Sequence, residues 1–435
     1  MKGLFTLCAT TYLLVYAFEG AIRYALFNVG ADSAILLRDA LLIVPLLLLL
    51  IQQARRGKIH PAFLVFAVIV GVHGAISYLN LHTEVAAIYG TKLLVPVLFG
   101  FIAAQPLTEP SRKLLMLLVV VWIASIVGVV LDKFVYTYPW TGLETNIGGI
   151  QVDVSHGWDI DDAVAKRVAG FTRSSIGAAT LLPVLALLIA PRARSYILRL
   201  LILAATVGAV ALTTQKGAVV AMGAIIACFA APAYMRFRLL WLAALTFAVV
   251  AVALPVFSAG LLLEDNGGVF SAASFAMRIM LTWPEAWQWI FNNEILPFGV
   301  GLGGIGGPQR FFAPNFFNPS DNMFIFLYAN FGIFSLLYLG WILQQAHAQP
   351  LETRAKAIVP LSLLVFILGY GAVLSMLEDQ VSELFLGASV GMLWQLRQVV
   401  YVKPWAHAFS GLPVPAQAAL DYHPAGAQRP SLETS

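Results

Sequence analysis

The sequence predicts an all-α, polytopic membrane protein: a bundle of about twelve transmembrane helices, with a large outer loop that carries amphipathic helices. The chain has 435 residues, of which 60% are hydrophobic and only 11% are charged. Soluble domains contain about 25% charged residues, so a chain this long cannot cover a water-exposed surface with so few charges. Apolar runs of about 20 residues, the length that crosses a bilayer as a helix, recur along the whole chain.

Roughly twelve apolar runs reach this length. They lie at 4–25, 34–53, 61–79, 84–104, 113–131, 172–190, 196–213, 217–234, 239–262, 321–344, 356–376 and 382–400. The polar residues between them are too few to form a soluble domain. The runs are therefore expected to pack against one another as a single membrane-embedded bundle.

Short basic clusters between these runs predict the orientation. Six such clusters fall on one side of the membrane if twelve spans alternate, and Lys2 agrees with them. The clusters lie at 55–58, 112–113, 192–199, 236–238, 354–356 and 397–403. Because lysine and arginine are enriched in cytoplasmic loops, this side is predicted to be the cytoplasm, and both termini lie there. In a bacterial protein the membrane is then the inner membrane, and the opposite side is the periplasm.

Residues 1–403 form one predicted transmembrane domain, with outer polar stretches at about 132–171 and 264–320 and a short outer turn at 378–380. Residues 404–435, rich in proline, alanine and serine, predict a disordered cytoplasmic tail because they cannot bury much apolar area. The net charge of +4 arises from the short topological clusters and does not indicate nucleic-acid binding. Both cysteines lie inside apolar runs, which predicts small apolar core residues and no disulfide framework.

The second outer stretch, 264–320, contains a candidate anion-binding residue, Arg278. Apolar residues around it recur with a period near 3.6, which predicts an amphipathic helix on the outer membrane surface. Trp283, Trp287 and Trp289 are expected to anchor this helix among the lipid headgroups. Arg278 then either contacts lipid phosphate or binds a specific phosphate or pyrophosphate, which a guanidinium group matches in shape and charge.

Three further basic residues lie near predicted outer ends of spans. Arg167 precedes span six and Arg173 lies at its start, where small residues permit close helix packing. Arg173 either snorkels to the membrane interface or points into a central outer cavity. Lys216 lies in the tight outer turn between spans seven and eight, where the positive-inside rule gives no reason for a lysine, and it is a second candidate ligand.

Acidic residues at the outer ends of spans have structural and functional interpretations. Asp39 and Lys92 lie at similar depth in spans two and four, which predicts a mutual, structural ion pair because lone charges in a bilayer are costly. Asp321-Asn322 begin span ten, where Ser320 or Asp321 is expected to cap the helix. The same Asp321 carboxylate at a cavity floor can accept a proton from a sugar hydroxyl.

The segment 299–307 is rich in glycine but is not a dinucleotide-binding fingerprint, because no strand precedes it and no βαβ unit surrounds it. It predicts a flexible or tightly turning connection to the aromatic stretch 310–317, whose rings can pack on sugar faces or on lipid. The acidic residues between 153 and 162 lack the spacing of a calcium-binding loop and predict a solvated loop, so no metal site and no cofactor are expected.

Several of these motifs occur together, in a fixed order, on the predicted outer side. They are R-x-x-G-F-x-R-S at 167–174, T-x-x-K-G at 213–217, R-I-x-x-x-W-x-x-A at 278–286, P-F-G-V-G-L-G at 297–303, and a polar dyad followed by N-F-G-I-F at 321–334. This pattern resembles the O-antigen ligase and O-antigen polymerase family. The resemblance covers about residues 165–345 and, through the number and orientation of the spans, most of the chain.

The resemblance implies a metal-independent GT-C-type glycosyltransferase that acts on glycans carried by undecaprenyl pyrophosphate at the periplasmic face. It implies that arginines in the positions of Arg173 and Arg278 hold the pyrophosphate, that Lys216 stands for a further basic residue of the family, and that the partners are a lipid-linked donor and a glycan acceptor. It also allows chain-length regulators or export proteins as partners. Catalysis is then expected from Asp321 and Arg278, pyrophosphate binding from Arg167, Arg173, Lys216 and Arg278, and support from Asn322, Asp39 and Lys92.

One position departs from the family. Its ligases typically carry a histidine where this chain has Asp321, before the shared asparagine. We therefore expect a polymerase of lipid-linked repeat units, with a ligase that transfers the glycan to lipid A–core or protein as the alternative. Two other classes stay open at this point: a transporter or flippase, for which twelve spans with both ends inside is a common layout, and a non-catalytic membrane scaffold.

Overall fold

The computed structural model describes residues 1–147, 150–155, 166–258 and 272–408. In these residues the chain is helical apart from one short antiparallel hairpin, so the predicted all-α class is confirmed. The helices are α1 (Lys2–Ala17), α2 (Glu19–Asn28), α3 (Leu37–Arg55), α4 (Pro61–Leu81), α5 (Glu84–Ile102), α6 (Ala104–Thr108), α7 (Arg112–Phe134), α8 (Ser175–Ile189), α9 (Tyr196–Leu212), α10 (Lys216–Ala230), α11 (Ala233–Phe257), α12 (Ala273–Met277), α13 (Trp283–Asn293), α14 (Gln309–Phe312), α15 (Met323–Phe331), α16 (Phe334–His347), α17 (Arg354–Gly371) and α18 (Gln380–Ala408). The hairpin strands are β1 (Glu144–Ile147) and β2 (Ile150–Asp153).

Each predicted span contains helix, but two of them are broken. The first run divides into α1 and α2, which are bent by 76°. The tenth divides into α15 and α16 at Gly332, which has a positive φ of 54°. At the C-terminus, α18 continues through Ala408, five residues into the predicted tail, because extending a formed helix adds a hydrogen bond for each residue fixed. The remaining predicted tail, 409–435, lies outside the described residues.

Within the described ranges, six helices are long and apolar enough to cross a membrane: α3 with the turn before it, α4, α5, α7, α8 and α11. The bent pair α1–α2 makes a seventh if it is counted as one span. These helices are consistent with a multi-pass membrane protein. The count of twelve crossings and the assignment of inner and outer sides stay predictions.

The outward faces of the peripheral helices are apolar. Val68 of α4, Val120 of α7 and Val249 of α11 are 63%, 62% and 57% exposed. A soluble protein rarely leaves apolar surface of this extent in water, whereas lipid accommodates it. At the centre, every residue of α8 except Ile176 is buried, and α17 and α18 are buried along most of their described length.

Basic residues of the predicted cytoplasmic clusters contact neighbouring helix ends. Arg192, after α8, donates a 2.7 Å hydrogen bond to the carbonyl oxygen of Thr108 at the end of α6. Arg354, at the start of α17, lies 5.0 Å from the ring centroid of Phe237 near the start of α11. These contacts join ends that fall on the same side when successive spans alternate in direction. They support the alternation that the basic clusters predict.

The first outer stretch is held against the end of α7 by a buried ion pair. Lys166 Nζ lies 3.1 Å from Asp132 Oδ1, and Asp132 Oδ2 accepts the backbone N–H groups of Ala169 and Gly170 at 3.0 Å each. Because both charged groups are buried and each has hydrogen-bond partners, this contact fixes the chain just before Arg173. The sequence analysis did not identify this pair.

The glycine-rich segment turns tightly and packs between helices. Gly299, Gly301, Gly303 and Gly306 all have positive φ, between 73° and 99°. A Cβ at Gly301 would meet the backbone of α4, and a Cβ at Gly303 would meet the backbone of α5. Of the two predicted alternatives, the structure shows the tight turn, held in place by close backbone approach.

We expect Gly303→Ala to lower the free energy of unfolding by more than about 1–2 kcal/mol, the usual cost of a left-handed conformation for a residue with a Cβ. The backbone clash with the carbonyl group of Ala86 adds to this cost. The thermal unfolding midpoint in detergent measures it. Gly71→Ala is the matched control, because Gly71 lies within α4 with open space around it, where alanine should stabilise the helix. Equal midpoints for the two variants would contradict the packing argument.

The helix around Arg278 is anchored to the protein. It consists of α12, a π-helical turn over Arg278–Thr282, and α13. Trp283 is buried, Trp287 Nε1 donates to the carbonyl oxygen of Pro255 at 3.2 Å, and Trp289 Nε1 donates to that of Gly304 at 2.8 Å. Protein carbonyl groups thus accept the indole N–H groups of Trp287 and Trp289, and contact of these half-buried rings with lipid headgroups stays a prediction.

Candidate functional site

A polar cavity of about 270 Å³ lies among the ends of several helices. Its polar lining residues are Tyr16, Glu19, Arg38, Arg173, Ser174, Asp321, Ser375, Glu378, Asp379 and Gln380. They come from five separate parts of the sequence, so only the folded bundle assembles them. Most of them lie at or next to a helix end. Arg173, Asp321 and Glu378, for example, lie shortly before α8, α15 and α18. We call this space the polar cavity.

Asp321 is held by the helix that carries Arg278. Arg278 Nε donates a 3.1 Å hydrogen bond to Asp321 Oδ2, and the Arg278 Nη1 group bonds the carbonyl and hydroxyl oxygens of Ser274. Trp283 Nε1 donates to the backbone oxygen of Asp321 at 3.3 Å. Ser320 and Asp321 both have positive φ, 57° and 42°, which is uncommon for residues other than glycine and occurs often at functional sites.

The helix cap at α15 is Asn322, and the predicted cap by Ser320 or Asp321 is wrong. Asn322 has an extended backbone, and its side-chain oxygen accepts the N–H groups of Phe324 and Ile325. Its Nδ2 group donates to two backbone carbonyls of neighbouring helices. Because Asn322 satisfies the helix N-terminus, the Asp321 side chain is left for Arg278 and the cavity.

Burial raises the pKa of Asp321 above its usual range, although Arg278 and, at longer range, Arg167 act to lower it. The side chain of Asp321 is 24% exposed and that of Arg278 is 18% exposed. The ion pair therefore lies at the edge of the polar cavity, where a ligand can reach it. Arg278 and Asp321, the two residues expected to act in catalysis, are thus in direct side-chain contact.

Arg173 lies two residues before α8 and lines the polar cavity, which is the second of its two predicted alternatives. Ser155 Oγ donates to the Arg173 carbonyl oxygen at 2.8 Å, and Arg173 Nε donates to the Asp153 carbonyl oxygen at 3.3 Å. Burial, together with the charge of Arg23, lowers the pKa of Arg173 to about 10. The guanidinium group is still charged at neutral pH.

A buried charge network forms the opposite side of the cavity, and the sequence analysis missed it. Glu19 lies between two arginines, with 2.8 Å to Arg23 Nε and 2.6 Å to Arg38 Nη1. Arg38 also approaches Asp39 at 3.7 Å. The i, i+4 spacing of Glu19 and Arg23 inside an apolar run was the available signal, because charges at this depth are costly unless they are paired.

The predicted ion pair between Asp39 and Lys92 is present, with 2.7 Å between Oδ2 and Nζ. Through Arg38, this pair joins the network around Glu19. The Asp39–Lys92 pair joins α3 to α5, which agrees with the structural role predicted for it. Neither residue lines the polar cavity.

Two other predicted ligands lie beyond the cavity wall. Arg167 contributes to the electrostatic environment of Asp321 but is not a lining residue. Lys216 is the exposed first residue of α10 and is not a lining residue either. Its neighbour Gln215 donates to Ser175, next to the cavity residue Ser174, so Lys216 lies near this end of the bundle.

An apolar groove of about 320 Å³ lies beside Arg278, between α11 and the α12–α13 helix. Its lining residues are Pro255, Val256, Ser258, Ile279, Trp283, Pro284, Trp287 and Phe291. Ile279 and Trp283 line the groove, whereas Arg278 contacts Asp321 at the polar cavity. The same helix thus borders an apolar space and a polar one.

In the described part of the chain, no group of three or more histidine, cysteine, aspartate or glutamate side chains is arranged to hold a metal ion. His156 and the aspartates at 159, 161 and 162, predicted to form a solvated loop, lie outside the described residues. The cavity instead offers arginines that can bind an anion and carboxyl groups that can bind hydroxyls or exchange protons. No protein-family model, curated protein or solved structure matches this chain.

Proposed function

We propose that the protein is a metal-independent glycosyltransferase that joins undecaprenyl-pyrophosphate-linked oligosaccharide units into a surface polysaccharide or exopolysaccharide at the periplasmic face of the bacterial inner membrane. One observation supports this most: Arg173, Asp321 and Glu378 line a single cavity at helix ends, with Arg278 bound to Asp321. Displacing pyrophosphate from a sugar needs fixed positive charge for the leaving group and a carboxylate near the acceptor hydroxyl. The cavity combines these residue types.

In the proposed reaction, the acceptor oxygen forms a bond to the anomeric carbon while the bond to pyrophosphate breaks. The electron pair of the broken bond leaves with the pyrophosphate, on the lipid carrier. Arg173 lies in the cavity, and Arg278 lies at its edge; a guanidinium group matches phosphate oxygens in charge and geometry. Attack opposite the leaving group inverts the anomeric configuration, and comparing the donor and product linkages by NMR tests this.

The apolar groove beside Arg278 supports a lipid-linked donor. A polyprenyl chain in this groove would lie along Trp283, Trp287 and Phe291, while its pyrophosphate reached Arg278 on the other side of the helix. A water-soluble nucleotide-sugar donor would have no use for such a space. The lipid carrier also brings the energy for transfer, because its phosphate–sugar bond is already activated.

The alternatives use the same cavity differently. A ligase would carry out the same displacement with lipid A–core or protein as acceptor, and the aspartate at 321 in place of the family's histidine favours the polymerase. A transporter or flippase places its ionisable residues on broken helices near the bilayer midplane. Two broken spans border the cavity here, at α1–α2 and α15–α16, but Arg173, Asp321 and Glu378 each precede a helix, which favours chemistry at the membrane surface.

The test is a comparison of glycans in the host strain, a strain that lacks this gene, and the deletion strain carrying a wild-type copy. If the protein polymerises repeat units, deletion should abolish the long-chain ladder on a gel and leave single units on the final acceptor; the wild-type copy should restore the ladder. Long polymer that accumulates on undecaprenyl pyrophosphate would indicate a ligase. Lipid-linked single units confined to the cytoplasmic leaflet would indicate a flippase, and an unchanged ladder would overturn the proposal.

A further inference from the structure

The outer turn at 378–380 holds a carboxyl group that the proposed function has not yet used. Glu378 ends a short turn two residues before α18, and its side chain lines the polar cavity. Glu378 Oε1 accepts the backbone N–H of Gly307 at 2.5 Å. Gly306 has a φ of 80°, and a Cβ there would collide with the Glu378 carboxyl group. The glycine-rich segment thus closes tightly around this side chain.

Of the other three carboxyl groups of the cavity, two are paired with arginine and the third accepts three hydrogen bonds. Glu19 is bound by Arg23 and Arg38, and Asp321 is bound by Arg278. Asp379 accepts hydrogen bonds from the Tyr16 hydroxyl and from the backbone and side chain of Ser382. Glu378 makes no ion pair within the described residues, and its hydrogen bond to Gly307 is with a neutral group. A carboxylate bound to arginine is a weak base, whereas one with a neutral partner keeps its affinity for a proton.

A buried hydroxyl beside Glu378 indicates that this part of the cavity binds a ligand. Ser375 is 6% exposed and lines the polar cavity. Its Oγ atom makes no hydrogen bond of ordinary distance and angle within the described residues, and its hydroxyl lies close enough to the Glu378 carboxyl group to lower the pKa of that group. An unsatisfied buried hydroxyl is unfavourable, and a ligand hydroxyl in the cavity would satisfy it. The two side chains belong to the same turn, three residues apart, so one ligand group can contact both.

We infer that Glu378 is the general base of the transfer reaction and that Ser375 positions the acceptor sugar. This inference rests on the proposed function and changes the role of one predicted residue: Asp321 orients Arg278 and does not receive the proton. In the step, the acceptor O–H gives its proton to a Glu378 carboxylate oxygen as the oxygen bonds to the anomeric carbon. The bond to pyrophosphate breaks with its electron pair, and Glu378 later releases the proton to water.

The charges around Glu378 support this role at neutral pH. Burial and the negative charge of Asp321 raise the pKa of Glu378 to about 7, although the Gly307 N–H, the charge of Arg310 and the Ser375 hydroxyl act to lower it. Asp379 and Glu383 are the other acidic groups nearby. A base must be deprotonated to act, so the rate should rise with pH up to about 7 and then level off.

The experiment uses full-length protein in nanodiscs, with undecaprenyl-pyrophosphate-linked oligosaccharide extracted from the deletion strain as both donor and acceptor. Initial rates of undecaprenyl pyrophosphate release and of product formation are measured from pH 5.5 to 9. Glu378→Gln, which keeps the acceptor for the Gly307 N–H, should lower kcat by about 10²- to 10⁴-fold and abolish the rise with pH, because it removes general-base catalysis. Glu378→Asp should recover part of the rate and of the rise.

Two further variants separate this role from a structural one. Asp321→Asn should lower the rate but keep a rise with pH, because the base is still present; the rise should move to lower pH, since the negative charge of Asp321 no longer raises the pKa of Glu378. Ser375→Ala should raise KM for the acceptor by about tenfold with little change in kcat, as expected for a lost hydrogen bond to a bound ligand.

The outcomes distinguish the inference from the function on which it rests. If the wild-type protein transfers glycan and Glu378→Gln keeps both its rate and its pH profile, Glu378 is not the base. If Asp321→Asn loses the rise with pH while Glu378→Gln keeps it, Asp321 is the base as first predicted. If the wild-type protein releases no undecaprenyl pyrophosphate and forms no product, the proposed function itself is overturned.

Discussion

Replacing Arg173 with methionine should slow transfer from the lipid-linked donor by about 10²- to 10³-fold, the usual loss when one fixed donor to a developing negative charge is removed. Arg173 lines the polar cavity and is charged at neutral pH. The first outer stretch holds it at two points: the Asp153 carbonyl oxygen accepts from Arg173 Nε, and the Ser155 hydroxyl donates to the Arg173 carbonyl oxygen. The Arg173 guanidinium group therefore does not have to move as the pyrophosphate departs. The measurement is the initial rate of undecaprenyl pyrophosphate release by the purified protein in nanodiscs.

Two control variants test the explanation. Arg173→Lys keeps the charge but loses the planar fork of donors, so it should retain more activity than the methionine variant. Arg192→Met removes an arginine from the other end of α8, where it bonds the carbonyl groups of Leu188 and Thr108, away from the polar cavity. This variant should keep near wild-type rates once the amount of folded protein is matched. Equal losses for Arg173→Met and Arg192→Met would contradict a catalytic role for Arg173.

Charge and hydropathy patterns were sufficient to predict where the long helices lie. Apolar runs indicated their positions, because a bilayer imposes a minimum length and excludes unpaired charge, but they indicated neither the short helices nor the breaks in spans one and ten. The pair of Asp39 and Lys92 was predicted from equal depth alone and is present at 2.7 Å. The association of Arg278 with Asp321 was less visible, because it depends on how an outer helix folds back over the start of α15.

The remaining parts of the site depend on three-dimensional contacts that have no local signal. Glu378 belongs to a three-residue turn, and its surroundings come from the glycine-rich segment 71 positions away in the sequence. Ser320 and Asp321 adopt positive φ, which propensity does not predict for these residue types, and this shifts the helix cap to Asn322. Lys216 shows the converse: its unusual position in the sequence was clear, yet the cavity lining does not include it.

The largest expected loss of stability follows from Glu19→Gln. The Glu19 side chain is 5% exposed and binds Arg23 and Arg38, which are 10% and 9% exposed. Removing the charge of Glu19 leaves two buried guanidinium groups with too little negative charge around them. Breaking a buried ion pair by removing one partner costs about 3–5 kcal/mol. The thermal unfolding midpoint in detergent, followed by tryptophan fluorescence, measures the loss.

A double-mutant cycle shows whether the three residues act as one unit. Glu19→Gln combined with Arg23→Met should lose less stability than the two single variants added together, because the second change removes one of the uncompensated charges. Glu109→Gln is the control, since Glu109 is exposed and its replacement should change the free energy of unfolding by no more than about 0.5 kcal/mol. Equal unfolding temperatures for Glu19→Gln and Glu109→Gln would contradict the prediction. They would indicate that water in the polar cavity screens the positive charges of Arg23 and Arg38 from each other. The network would then serve to hold Arg38 ready for an anionic ligand, with little contribution to the stability of the bundle.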